Sequence, residues 1–128
     1  MSYTKFTSRH RKAVEIICNE NDIDIVTTAI QKKNGTIAIH DNITDTGYTL
    51  HTTGYVRAKD DNGYIFTTRT WQLNRTAKDK NGWTIRILAS ADEQIVILMN
   101  AIQRHRKQNV ISKLKKDIEI LQSLVNEL

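Results

Sequence analysis

Proline is absent from this 128-residue chain. Average usage of about 5% would supply roughly six prolines at this length, so the absence excludes cis-proline steps and proline-rich linkers, the usual markers of a two-domain boundary. Cysteine occurs once, at Cys18, which excludes an internal disulfide and any paired-cysteine zinc motif. The longest unbroken apolar run, Ile95 to Met99, is far short of the ~20 residues that span a bilayer. The first residues also lack the apolar core of a signal peptide. A cytoplasmic protein with no membrane contact is expected, its single thiol buried on an apolar helix face in a reducing compartment.

Catalytic patterns are missing too. Four histidines, His10, His40, His51 and His105, show neither HExxH spacing nor a neighbouring carboxylate pattern, and none of the five glycines belongs to a phosphate loop. Cys18 with a distant histidine is a conceivable nucleophile pair, but its apolar helical setting reads as a structural thiol. Asp41, Asp45, Asp60 and Asp61 read as turn residues before they read as acids. The expectation is a non-enzymatic protein with no metal and no cofactor.

What is present suits one modest core: 39% hydrophobic and 26% charged residues, with ordinary aromatic content. A formal charge of +5 favours nucleic acid, another polyanion or an acidic protein as partner. The predicted fold class is α+β, with an N-terminal helix, a five-stranded antiparallel meander sheet, and one long or two consecutive C-terminal helices carrying a heptad seam.

Thr7 or Ser8 can cap the first helix, Ser8 to Glu20, in which Val14, Ile16 or Ile17 and Cys18 recur at helical spacing. From Ile23 the period becomes two, and strands are predicted over Ile23–Lys32, Thr36–His40, Tyr48–Ala58, Tyr64–Arg75 and Trp83–Leu88. Three Asn-Gly pairs, at 34, 62 and 81, predict type I′ turns. Two of them lie in an internal echo, Ala58 to Tyr64 against Ala77 to Trp83, best read as one turn solution used twice. Ser90 and Glu93 then match a capping box opening a helix through Ile95, Leu98, Met99 and Ile102. That helix either continues as one rod or bends near Gln108-Asn109, where Asn109 or Ser112 can cap a second helix; the bend is the preferred expectation.

The sheet is predicted to have two unlike faces. Tyr48, Leu50, Thr52 and Val56 alternate with Thr49, His51, Thr53, Tyr55 and Arg57, and a bulge near Thr67-Thr68 is expected to swap the faces of the next strand. Arg57, Arg69, Arg75 and Arg86 would then share an open surface with His51 and Tyr55, a platform on which bases stack while charge follows phosphates. The competing reading is a solvated sheet face on which Thr and Arg are simply good strand and surface residues.

The last eighteen residues carry the clearest periodicity: Ile111, Leu114, Ile118, Leu121, Val125 and Leu128 recur at alternating steps of three and four. At its root lie six cations, Arg104, Arg106, Lys107, Lys113, Lys115 and Lys116, with no acidic residue from Ala101 to Lys116. The tetrad at Arg104–Lys107 repeats Arg9, His10, Arg11 and Lys12, which stand at a helix N-terminus, where backbone N–H groups favour anions. The chain is therefore divided into a globular part, residues 1–108, and a heptad helix, 109–128, expected to oligomerise, with internal packing on the first helix or the sheet as the alternative and the number of helices left open.

The functional expectation is a basic, homo-oligomeric, regulatory nucleic-acid-binding protein. Its anion-binding residues would be Arg9, Arg11, Lys12, Arg57, Arg69, Arg86, Arg104, Arg106, Lys107, Lys113 and Lys116. An adaptor or inhibitor for an acidic protein, and a binding protein for a small anionic nucleotide at a subunit interface, are the alternatives.

Overall fold

The computed structural model describes residues 6–127, the side chains of 71–77 and 86–88 excepted. Helix α1 covers Ser8–Glu20. It begins there because Thr7 keeps an extended backbone while its hydroxyl accepts the His10 N–H at 3.4 Å. His10 returns the favour where Glu or Gln usually stands, its Nδ1 accepting the Thr7 N–H at 3.1 Å. Val14 and Cys18, one turn apart, form the buried stripe, whereas Ile16 faces solvent.

Strand β1 is Ile23–Ile25, much shorter than the strand expected there. The reason is local: Thr28 and Gln31 form a second reciprocal capping box, with bonds of 3.2 and 2.8 Å, and open a short helix α2 over Ala29–Lys33. Asn34-Gly35 consequently ends a helix instead of turning a hairpin, with Gly35 in the left-handed region at φ +74°. Strand β2, Thr36–Asp41, then returns antiparallel to β1.

Strands β3 (Thr46–His51), β4 (Tyr55–Asp60) and β5 (Gly63–Arg69) complete a five-stranded antiparallel meander in the order β1-β2-β3-β4-β5. The segment Tyr48–Ala58 is thus two strands, separated by a turn at Thr52, Thr53 and Gly54. The expected faces survive because His51 pairs with Tyr55 and Leu50 with Val56, and directly opposed residues point to the same side. The strand expected over Tyr64–Arg75 is also divided, at Thr70, whose N–H reaches the Gly54 carbonyl and whose carbonyl takes the Ala89 N–H. Beyond it β6 (Trp71–Lys78) and β7 (Thr84–Leu88) form a separate two-stranded ribbon.

At all three Asn-Gly pairs only the glycine adopts positive φ, so none is a type I′ turn. Asp60 and Asp79 instead accept the N–H groups of Asn62 and Asn81 at 2.8 and 2.9 Å, one side-chain-closed turn used twice. The bulge lies earlier than expected. Ala58 faces Phe66 while Lys59 faces Tyr64, which makes Ile65 the extra residue of β5 and turns Tyr64 outward and Phe66 inward.

The inner face presents the cross-strand rows Ile37, Leu50, Val56 and Ile39, Tyr48, Ala58, Phe66. Val14 and Cys18 of α1 and Ile95, Leu98 and Ile102 of the last helix close over them. That helix, α3, is Ala91–Asn126, opened by Ser90 accepting the Glu93 N–H at 3.2 Å. It is uninterrupted: Gln108, Asn109 and Ser112 neither break nor cap it, because such residues cost little inside a helix where no tertiary contact competes. At 1.5 Å per residue it is about 54 Å long. Ile102 is its last buried residue, and residues 107–127 are all exposed. Among the described residues no helix is long and apolar enough to cross a membrane.

Where α3 leaves the sheet, a buried ion pair holds it. Arg106 donates through Nε and Nη2 to the two oxygens of Asp41 at 2.9 and 2.7 Å, and through Nη2 to the Asn21 carbonyl at 2.6 Å. The Ile43 N–H and the Thr44 hydroxyl complete the Asp41 shell at 3.0 Å each. Burial alone would raise the Asp41 pKa, but these hydrogen bonds and the guanidinium charge outweigh it, and the carboxyl titrates below its ordinary range. One arginine thereby ties the end of α1, the β2–β3 turn and α3.

Removing either partner would strand a buried charge, so Arg106→Met is expected to cost about 3–5 kcal/mol in denaturant titration. Because the folded pKa of Asp41 lies below its unfolded value, the contribution is complete above that unfolded value and is lost as pH falls through the folded one. The stability gap between wild type and Asp41→Asn should therefore narrow below about pH 4; a gap unchanged down to pH 2 would contradict the ion-pair account. Gly35→Ala should cost at least about 1–2 kcal/mol for the left-handed backbone, since its Cβ would also stand 2.5 Å from Thr52 Oγ1. Thermal melts of that variant check the second point.

Candidate nucleic-acid interface

The outer face of the sheet is built by register. On β3, β4 and β5 its positions are Gly47, Thr49, His51, Tyr55, Arg57, Lys59, Tyr64, Thr67 and Arg69, without a carboxylate among them. Across these strands His51, Tyr55 and Arg69 form one row, Thr49, Arg57 and Thr67 the next, and Gly47, Lys59 and Tyr64 the third.

Within this grid the planar and cationic groups make a continuous ladder. His51 and Tyr55 stack with centroids 5.2 Å apart and planes 10° from parallel. The His51 ring is fixed in that plane because Nδ1 accepts the Thr53 N–H at 3.1 Å. The Arg57 guanidinium lies 4.8 Å from the Tyr55 centroid and 5.6 Å from that of Tyr64, and the Lys59 ammonium lies 6.0 Å from Tyr64. Tyr64 is 69% exposed, so much of its side chain is accessible from solvent. Helix α2 packs against β2 and supplies a wall through Thr28 and Gln31, leaving a trough of about 490 Å³ over the ladder.

Arg57 and Arg69 thus occupy the predicted surface together with His51 and Tyr55. Lys59 and Tyr64 join them, although Lys59 reads from sequence as part of a turn. Tyr64 shares the parity of inward-facing Phe66, and only the bulge separates the two. The side chains of Arg75 and Arg86 lie outside the described residues.

The other cations are elsewhere. Arg9 and His10 both reach Asp92, at 3.7 and 2.9 Å, so an internal carboxylate occupies the start of α1 where an external anion was expected. Arg11 donates to the Lys32 and Thr36 carbonyls at 3.3 and 3.4 Å and bridges α1 to α2 and β2; burial lowers its pKa. Lys12 is exposed on α1. Since α1 and α3 start side by side at His10 and Asp92 and meet again at Asn21 and Arg106, they run in the same direction, and the two basic tetrads stand at opposite ends. Arg106 itself belongs to the buried clasp and is withdrawn from any anion-binding surface.

Arg104, Lys107, Lys113 and Lys116 are exposed on α3, in the layer opposite the ladder. The ladder nevertheless ends at the sheet edge where α3 emerges. Lys59 pairs with Gly47, next to Thr46, and Thr46 Oγ1 is 3.3 Å from His105 Nε2. Beyond that edge Ile111, Leu114, Ile118, Leu121 and Val125 are 43–67% exposed, and Leu128 lies outside the described residues. Burying the exposed part of ten such side chains, five from each of two helices, would contribute on the order of 10 kcal/mol. Association itself costs about 4–15 kcal/mol, so a pairing through this seam would be of moderate strength.

Cys18 is 1% exposed, and burial, reinforced by the charge of Asp24, pushes its thiol up to about 11. At neutral pH it is protonated and shielded, the condition of a packing residue. Tyr48, buried among Phe66 and His105, has its hydroxyl pushed up likewise, chiefly by burial and then by the charge of Asp41. No protein-family model, curated protein or solved structure matches this chain.

A thiol reagent at pH 8 should label Cys18 only as the protein unfolds, with a rate that follows the unfolding rate in denaturant. Rapid stoichiometric labelling of the native protein would show that the thiol is accessible.

Proposed function

We propose that this is a non-enzymatic, homo-oligomeric nucleic-acid-binding protein of regulatory type, which receives single-stranded nucleic acid on the outer face of its sheet. The ladder of His51, Tyr55, Arg57, Tyr64 and Lys59 carries the reading. Every base has a π face, so planar side chains spaced a few ångströms apart on a rigid sheet offer stacking that tolerates any sequence. Cations interleaved with those rings pair with the phosphates between bases, and no outward carboxylate on β3 to β5 opposes them.

Lys107, Lys113 and Lys116, exposed where α3 leaves the sheet, extend the positive field past the end of the ladder, and Arg104 adds to it from the layer behind the sheet. They add affinity without sequence preference. The trough volume of about 490 Å³ also falls in the range of small-ligand pockets, which supports a single anionic nucleotide as the second reading.

Fluorescence anisotropy with labelled oligo(dT) and oligo(A) tests the proposal. Tyr55→Ala and Tyr64→Ala should each lose about 1–3 kcal/mol of binding. Lys59→Ala should reduce the slope of log affinity against log salt by about 0.7, the value for one phosphate contact on a single strand. Retention of a mononucleotide with no affinity for oligonucleotides would replace this reading with the second. Saturable capture of an acidic protein, with no polynucleotide bound at low salt, would turn it into an adaptor.

A further inference from the structure

We infer that two copies of this chain join through the α3 tail as a parallel, in-register, two-stranded coiled coil that begins at Ile111. This specifies the oligomer of the proposed function, and its bivalent consequence rests on that reading; the pairing itself rests on the tail alone.

The tail is one unbroken helix whose seam side chains Ile111, Leu114, Ile118, Leu121 and Val125 are about half exposed or more. Its residues sort by position. The a positions are Ile111, Ile118 and Val125, all β-branched, and the d positions are Leu114, Leu121 and, next in sequence, Leu128. In a parallel pair the layers alternate between a against a and d against d; the first geometry suits β-branched side chains and the second suits leucine, and this combination favours two strands. In an antiparallel pair every layer joins an a to a d, so the two positions become equivalent and the sorting would have no cause.

Charge fixes the register. One heptad upstream, the a and d positions hold Arg104 and Lys107, so a slip of seven residues would press a guanidinium against Ile111 and an ammonium against Leu114. The in-register pair avoids this and meets no like charges along its flanks: Asp117 at g lies beside Gln122 at e of the other helix, and Val110 at g beside Lys115 at e. Upstream of Ile111 the helices must part, because those cations repel and Arg106 is held by Asp41 within its own domain.

The pair is therefore a fork. Both globular domains sit at one end, each with its ladder ending at the edge from which its tail departs. A strand bound by one ladder then has the second at high effective concentration, which raises avidity without a new contact.

Sedimentation of the full chain at tens of micromolar, free of nucleic acid, should give a dimer. Leu114→Asp with Leu121→Asp should give a monomer with unchanged β-sheet circular dichroism, since both positions are exposed. Val125→Cys reports orientation. In a parallel pair position 125 faces its own counterpart within the roughly 7 Å Cα limit of a disulfide, whereas an antiparallel pair sets it against 114 and leaves the two copies of 125 about 16 Å apart along the axis. With oxidised glutathione, the Val125→Cys protein should become a reducible covalent dimer; Cys18 is buried and does not compete. A wild-type monomer, a trimer or tetramer, or a dimer that resists cross-linking at 125 would overturn the inference. If the dimer persists while oligonucleotides fail to bind, the nucleic-acid reading falls and the coiled coil stands.

Discussion

The bidentate pair of Asp41 and Arg106 is the constraint on which the arrangement depends. A fully buried carboxylate is expensive unless its lone pairs are satisfied, and here they are met by a guanidinium, a backbone N–H and a hydroxyl. The same arginine takes the last carbonyl region of α1 through Asn21. Three elements far apart in sequence meet at one charge pair, and the direction of α3 follows from it. Burial of α3 stops just before Arg106, and residues 107–127 are all exposed.

That anchoring divides labour between the two sides of the sheet. Helices α1 and α3 consume the inner face, where Ile39, Tyr48, Leu50 and Val56 have almost no exposure, and α2 covers β2 on the other side, so the outer face of β3 to β5 stays open. Its content is set by small backbone devices. Thr52 to Gly54 make a turn that keeps His51 opposite Tyr55, and the extra residue Ile65 rotates Tyr64 onto the side of Arg57 and Lys59. Without the bulge Tyr64 would point inward with Phe66 and the ladder would end at Arg57.

Helix α1 and the ladder show how the same residue types acquire opposite roles. Arg9, His10 and Arg11 stand at a helix N-terminus, an ordinary anion site, yet Arg9 and His10 reach Asp92 and Arg11 donates to two backbone carbonyls. Arg57 and Lys59 lie against aromatic faces, an attraction weak enough at an exposed site to leave their charge available.

Sequence by itself determined what depends on local chemistry and short period. The bounds of α1, the capped start of α3, the alternation of Leu50 and Val56 against His51 and Arg57, and the heptad seam all follow from side-chain spacing and capping, which act within a few residues. The helix α2 was legible too, in Thr28, Gln31 and Gly35, although two-residue alternation masks it. Tertiary structure alone decided the rest. The pairing of Asp41 with Arg106 spans 65 residues and leaves no mark on either segment. The position of the bulge depends on which residue of β4 faces Phe66, and the unbroken course of α3 on the absence of any competing contact near Asn109. Long-range pairing is chosen by the packing of the whole core, and a sequence records only the candidates.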